Sequence, residues 1–285
     1  MSERPATESS CPGARRVAQG QKRGRCVPEE FELTLRVCCA DARSLFLNIA
    51  SLRSLGPYAT VFRHARDMHD EYFDTRRSGL SRAGLALRLR TAGHRTLLCL
   101  KGLERIDEHG SVRRLEIEGP WSREILEQAL KAAEGILPEP PALLPEDPRA
   151  TLLGMGLRVI QSRAMRRTAL DIMSSGYTSG GPLGELALDT VCFRLGLGVY
   201  LHHEAEIEAA SRDREPMLPA FASLLQEAFP GALCPWPHNK LVTGLALDAL
   251  VSQGTIPDPT PEGIAVTEEA YARIDEWVRQ GGPTL

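Results

Sequence analysis

Polar and apolar positions alternate strictly along Glu30-Phe31-Glu32-Leu33-Thr34-Leu35-Arg36-Val37. In a strand this puts Glu30, Glu32, Thr34 and Arg36 on one face and the four apolar residues on the other. The same period runs through 85–90, where Arg88 and Arg90 share a face, and through 97–101, an apolar run closed by Lys101. In 113–118, Arg114, Glu116 and Glu118 oppose Leu115 and Ile117. Further strands are predicted over 65–73, 157–170 (with Arg158, Arg163, Arg166 and Arg167), 185–189 and 204–208. Glu185 and Asp189 are in phase on one of these, and Glu204, Glu206 and Glu208 on another.

Helical spacing separates these runs. Asp41 reads as the N-cap of a helix carrying Leu45, Leu47, Ile49 and Leu52, stopped by Gly56-Pro57. Amphipathic helices are predicted over 121–133, 214–229 and 267–280, the last with Tyr271, Ile274 and Val278 on one side. Pro235 to Lys240 reads as a loop that leads into a final apolar helix reaching about Leu250. The proline-rich stretch 135–148 reads as a stiff connector between two halves of similar style.

Composition bounds these readings. Residues 1–28 are rich in Pro, Gly, Ser and basic groups and are expected to form a disordered tail. Residues 29–250 form the expected domain, and 251–285 a linker with a short helix. A net charge of −3 gives no global pull toward nucleic acid. No run is apolar and long enough to cross a membrane. The seven cysteines are scattered without a CxxC pair, which predicts reduced thiols, no zinc site and a cytoplasmic setting. Oligomeric state is not legible.

One sheet face thus gathers charges of both signs, while the aliphatic face needs cover. A sheet closed into a barrel, polar face inward and helices outside, satisfies both. Its lumen would present carboxylates suited to a hard divalent cation, Mg2+ or Mn2+: Glu30, Glu32, Asp189, Glu206 and Glu208. It would also present Arg88, Arg90, Lys101, Arg114 and Lys240 for phosphate groups. Metal-held carboxylates beside a basic cage are the equipment of phosphoryl chemistry.

These motifs, in this order, resemble the CYTH, or triphosphate tunnel metalloenzyme, family over about residues 29–250. The likeness rests on Glu30-x-Glu32, Tyr72-Phe73-Asp74-Thr75, Leu80 and Gly84 before Leu87-Arg88-Leu89-Arg90, and Leu100-Lys101. It continues through Arg114-x-Glu116-x-Glu118, Leu188-Asp189, Glu204-x-Glu206-x-Glu208 and Asn239-Lys240. The resemblance implies an α+β fold built on an eight-stranded antiparallel closed β-barrel, or tunnel, with helices packed outside. It implies metal-dependent triphosphate hydrolysis, in motif style closest to bacterial inorganic triphosphatases. Thiamine or nucleoside triphosphatase and adenylate cyclase activities belong to the same fold.

Carried over residue by residue, Glu30, Glu32, Lys101 and Lys240 would be catalytic. Arg36, Arg88, Arg90, Arg114 and Arg166 would join the two lysines on the substrate. Arg166 is favoured over Arg163 and Arg167 by its spacing from Ile160. Two departures stand out: Thr34 occupies the place of the family's first-strand lysine, and Cys99 that of a threonine. With Thr34 there, Arg36 is the nearest in-phase cation, and a polyphosphate-binding module without catalysis is the alternative from a different class.

Overall fold

Every alternating run becomes a strand of one sheet. In the computed structural model, which describes residues 31–106, 112–142, 146–176 and 181–282, the elements follow in chain order. They are β1 (Glu32–Val37), α1 (Ala42–Ser51), β2 (Ser54–Leu55), β3 (Tyr58–Thr75), α2 (Gly79–Arg82), β4 (Leu85–Ala92), β5 (Arg95–Ile106) and β6 (Val112–Pro120). Then come α3 (Arg123–Ala132), α4 (Pro148–Gly154), β7 (Leu157–Ser174), β8 (Gly184–Leu195), β9 (Gly198–Ala209) and α5 (Met217–Ala228). Last are β10 (Leu233–Pro235), α6 (Lys240–Ser252), β11 (Ile264–Ala265) and α7 (Glu268–Arg279). The expected tail, 1–28, lies outside the described residues.

The sheet order is β10-β1-β9-β8-β7-β3-β4-β5-β6, antiparallel throughout, with β2 on β3 and β11 parallel to β9. The ladder is not closed among the described residues, unlike the closed barrel expected. Its edges are β6 and β10, and β10 takes up the outer edge of β1 through Leu35↔Pro235 to Val37↔Leu233. The sheet nevertheless curls, because Glu32 of β1 and Lys101, Glu116 and Glu118 of β5 and β6 line one cavity. Nor does the proline-rich segment divide the molecule. β3 and β7 pair from Tyr58↔Ser174 to Thr75↔Leu157, joining the two halves at the centre of the sheet. β3 is twice the predicted length because Arg63-His64-Ala65-Arg66-Asp67 hides its periodicity, and a register shift between Phe62 and His64 interrupts its ladder.

The aliphatic face is covered from outside. Leu35, Ile172, Leu186 and Ile207 pack under Leu45 and Ile49 of α1 and Phe221 and Leu225 of α5. Leu87, Leu89, Leu98 and Leu100 pack under Ile125, Leu126 and Ala129 of α3 and Leu80 of α2. Fully burying each such side chain contributes roughly 1.5–3 kcal/mol. α1 starts where predicted, with the Asp41 carboxylate accepting from the Ser44 amide at 2.9 Å.

One end of the inner face is also apolar. There Met68, Met165, Val191, Phe193, Tyr200 and Trp236 enclose Ala246 and Leu247 of α6 and Tyr271 and Ile274 of α7. Gly244 lets α6 come this close: a Cβ there would lie 2.3 Å from Gln161 Nε2 and 2.7 Å from the Phe193 ring. Cys38 and Cys234 form a disulfide between the end of β1 and β10, with Cα atoms 6.2 Å apart. This corrects the expectation of thiols throughout, since β1–β10 pairing brings together residues 196 positions apart. Cys39, Cys99 and Cys192 are free. No helix among the described residues is long and apolar enough to cross a membrane.

Candidate active site

Register decides which charges meet. Across β4, β3 and β7 the inward rows are Arg90, Asp70, Arg163 and Arg88, Tyr72, Gln161. Across β7, β8, β9 and β1 one row is Arg167, Asp189, Glu204, Arg36, and Glu206 and Glu208 lie opposite Thr34 and Glu32. From these rows Glu32, Arg88, Arg90, Arg163, Arg167, Glu206 and Glu208 line a cavity of about 220 Å³.

Its basic wall is organised by Asp70. Fully buried, Asp70 accepts two hydrogen bonds from Arg90 at 2.8 and 2.9 Å and one from Arg163 at 3.1 Å, with Arg88 3.6 Å away. Burial alone would raise the Asp70 pKa. The Arg90 hydrogen bonds and the charges of Arg163 and Arg88 outweigh it and hold the carboxyl far below the usual range. Tyr72 stands beside it, its hydroxyl accepting from Arg163 at 2.8 Å and its ring 4.9 Å from that guanidinium. Three arginines on one carboxylate leave an excess of positive charge facing the cavity. Further along, Arg88 reaches Glu118 at 3.2 Å and Lys101 reaches Glu116 at 3.1 Å. Cys99 lies close to both glutamates, but burial pushes its thiol up to about 11, so it stays a neutral thiol.

The acidic wall belongs to β9 and β1. Glu32, Glu206 and Glu208 line the cavity, and Glu32 and Glu208 are direct cross-strand neighbours. Below them Asp189, Glu204 and Glu206 bring carboxylate oxygens within 4.8 Å of one another. The Lys240 ammonium, on the first residue of α6, is paired with all three, at 3.0 Å from Asp189. Arg167 also pairs with Asp189, at 2.6 and 2.8 Å, and with Glu206. Burial disfavours the Lys240 charge, yet Glu204, Glu206 and Asp189 together raise its pKa above the ordinary lysine value. For Glu206 burial works upward, and Lys240 and Arg167 pull the pKa well below the carboxylate range.

Carboxylates suited to a hard divalent cation lie in two places, and basic side chains already engage part of each. Glu32, Glu206 and Glu208 line the cavity with the oxygen donors such an ion prefers, but both Glu206 oxygens are bonded, Oε1 to Lys240 and Oε2 to Arg167, so a cation there would have to displace them. In the deeper trio the Lys240 ammonium already takes the position between the carboxylates.

Of the residues singled out from sequence, Glu32, Arg88, Arg90, Lys101, Glu206, Glu208 and Lys240 line the cavity. Asp189 lies beneath it, fully buried against Arg167 and Lys240. Arg36 shares the face of Glu32 but sits where the interior is already filled. It bonds Glu268 of α7 at 2.5 and 2.6 Å and stacks over the Tyr271 ring at 4.3 Å. Arg166 is exposed and outside the cavity, while Arg163 and Arg167, in phase with each other and not with it, line the cavity. A one-residue difference in register moves a side chain to the other face. Gln161, Arg163, Met165 and Arg167 form one period-two row, the signal that distinguishes the three arginines. Glu30 and the side chain of Arg114 lie outside the described residues. Sequence reasoning passed over Asp70 and took Tyr72 only as a motif residue; Asp70-x-Tyr72, in phase and opposite Arg90 and Arg88, would have indicated the role of both.

The CYTH domain matches residues 41–229, well over half of the chain. No curated protein matches the sequence. Among solved structures, a candidate adenylyl cyclase from Hippeastrum with a dominant triphosphatase activity is 17% identical, with 80% of this chain and 98% of that chain covered and a TM-score of 0.44. A candidate adenylate cyclase from Bacillus halodurans is 19% identical, with 74% and 95% covered and a TM-score of 0.44. An inorganic triphosphatase is 17% identical, with 67% and 79% covered and a TM-score of 0.24. By the domain match over residues 41–229, this chain belongs to the CYTH family of triphosphate tunnel proteins.

Proposed function

We propose that this chain is a metal-dependent triphosphatase acting on a short inorganic triphosphate, tripolyphosphate first, within the curled sheet. One observation carries the reading: the cavity sets a wall rich in guanidiniums against a wall rich in carboxylates and, among the described residues, offers no aromatic face to a base. Tyr72 is its single aromatic lining residue among those described, and both Arg88 and Arg163 engage its hydroxyl. At about 220 Å³ the cavity is also smaller than the roughly 300–1,000 Å³ of pockets that enclose drug-sized ligands. A nucleoside or thiamine triphosphate would have to leave its organic part outside.

In this reading Arg88, Arg90 and Lys101 hold the phosphate chain by charge-assisted hydrogen bonds. Arg163, braced by Asp70 and Tyr72, adds to the same wall. Arg114 is assigned to that wall from its motif alone. Glu32, Glu206 and Glu208 would hold Mg2+ or Mn2+, which when bound supplies neutralisation of phosphate oxyanions and activation of water. Water then attacks the terminal phosphorus, the bridging P–O bond breaks, and diphosphate leaves with its charge stabilised by the arginines and Lys240. No covalent intermediate is required.

A second reading, a polyphosphate-binding module without turnover, draws on Thr34 and on the full pairing of Lys240 with carboxylates. Phosphate release from tripolyphosphate, ATP and thiamine triphosphate, with Mg2+ or Mn2+ and then with excess chelator, separates the two. Metal-dependent release from tripolyphosphate above the other two supports the hydrolase. Calorimetric binding without release supports the module.

A further inference from the structure

A chain of buried polar groups runs from α7 to the cavity, and neither the family match nor the proposed reaction accounts for it. The Tyr271 hydroxyl lies 2.7 Å from His202 Nδ1, and His202 Nε2 lies 2.7 Å from Glu204 Oε2. Glu204 in turn pairs with the Lys240 ammonium. His202 is fully buried, and Glu204, Tyr271 and Lys240 nearly so. The aromatic rings of Phe193, Trp236 and Tyr271 surround the imidazole at centroid distances of 6.2, 6.5 and 5.7 Å. An apolar residue would suit that position. A buried imidazole is costly unless both nitrogens are bonded, as they are here.

We propose that His202 and Tyr271 are positioning residues for Lys240, holding Glu204 so that it keeps the ammonium at the cavity floor. This rests on the triphosphatase reading for its kinetic consequence but not for its geometry. Of the three carboxylates around Lys240, Asp189 and Glu206 are also bonded to Arg167. Glu204 is bonded to no guanidinium among the described residues, so its orientation depends on His202. The bonding pattern sets the tautomer. Glu204 can only accept, so Nε2 carries the hydrogen, and Nδ1 accepts from the Tyr271 hydroxyl. Burial raises the Tyr271 pKa, which keeps that phenol a donor. Tyr271 lies beyond the domain match at 41–229, on a helix also tied down by the Glu268–Arg36 pair. The C-terminal helix thus reaches the site through two hydrogen bonds and an ion pair.

The full chain has only four lysines, at positions 22, 101, 131 and 240, so nitrogen–proton spectra of lysine ammonium groups can isolate Lys240, assigned by its loss in Lys240→Arg. The wild-type signal is expected to be visible and protected from exchange. In Tyr271→Phe and His202→Leu it should exchange at least about tenfold faster, and in His202→Gln, which can still donate to Glu204, it should stay protected. On tripolyphosphate with Mg2+, kcat should fall about tenfold in the first two variants with KM within about twofold, and His202→Gln should recover most of it. Melting temperatures of all variants identify loss of fold, and Tyr271→Phe, which keeps the ring, is the variant least exposed to it. An unchanged ammonium signal in both Tyr271→Phe and His202→Leu overturns the proposal, as does His202→Gln behaving like His202→Leu. If the wild type releases no phosphate, the hydrolase reading fails and the ammonium spectra alone decide the positioning role.

Discussion

Replacing Asp70 by asparagine keeps the shape of the side chain and removes the one charge on which Arg88, Arg90 and Arg163 converge. Asp70 is fully buried, Arg163 is 2% exposed, and the Arg88 and Arg90 side chains are only 9% and 14% exposed. Without the carboxylate, three guanidiniums would face one another with little water to screen them. Removing one partner of a buried ion pair costs about 3–5 kcal/mol, and Asp70→Asn should fall in that range. Arg90→Ala is the contrasting case. It leaves Asp70 with Arg163 and Arg88 and relieves repulsion between guanidiniums, so its cost should stay within about 1 kcal/mol, the ordinary mutational range. Tripolyphosphate affinity should move the other way, falling at least about tenfold, or roughly 1.4 kcal/mol, in Arg90→Ala. Acid adds a second readout. The folded pKa of Asp70 is depressed below its unfolded value, so its contribution is complete above about pH 4 and lost as pH falls further. Urea unfolding of wild type and both variants at neutral and acid pH, with calorimetric titration of tripolyphosphate, measures all of this. If Arg90→Ala loses more stability than Asp70→Asn, or Asp70→Asn stays within about 1 kcal/mol of wild type at neutral pH, the shared counter-ion is not what holds the basic wall.

Glu32→Gln and Glu206→Gln should each abolish metal-dependent phosphate release, because the neutral amide removes a negative charge from the set that holds the cation; turnover that survives excess chelator would count against the metal assignment. His203 lies against Phe46 and Thr190, and burial, with a lesser contribution from His202, pushes its imidazole down to about 4 from an ordinary 6.5. Its penalty is therefore absent above the unfolded value and grows as pH falls toward 4, so His203→Gln should flatten the loss of stability over that interval by about 1–3 kcal/mol in pH-dependent urea unfolding. Gly244→Ala would drive a methyl into Gln161 and Phe193, and thermal melts should show a loss of about 1–3 kcal/mol; a neutral result would mean that α6 can retreat.

The period-two runs determined much by themselves. Alternation is a local property, readable wherever one strand face is buried, and it assigned Leu87 and Leu89 outward and Arg88 and Arg90 inward. It also aligned Glu206 with Glu208, and the Asp41 cap located α1 within a residue. Where the local pattern was blurred, the reading slipped: consecutive arginines at 166 and 167 look alike until the inward row through Gln161 and Met165 is known. Other features were decided only by tertiary structure, because they depend on which distant strands become neighbours. Asp70 becomes the anchor of three arginines only through pairing of β3 with both β4 and β7. β10 on the edge of β1 leaves the ladder open and joins Cys38 to Cys234. Lys240 appeared to sit at the end of a loop, but it is the first residue of a helix packed into the sheet's interior, and so it reaches three carboxylates from β8 and β9. Arg36 has the right phase to face a phosphate and does not, because α7 fills that end of the interior and supplies Glu268 and Tyr271 in its place. Phase along a strand is written in the local sequence, whereas the counter-ion each charge meets is settled by long-range register and by what else occupies the interior.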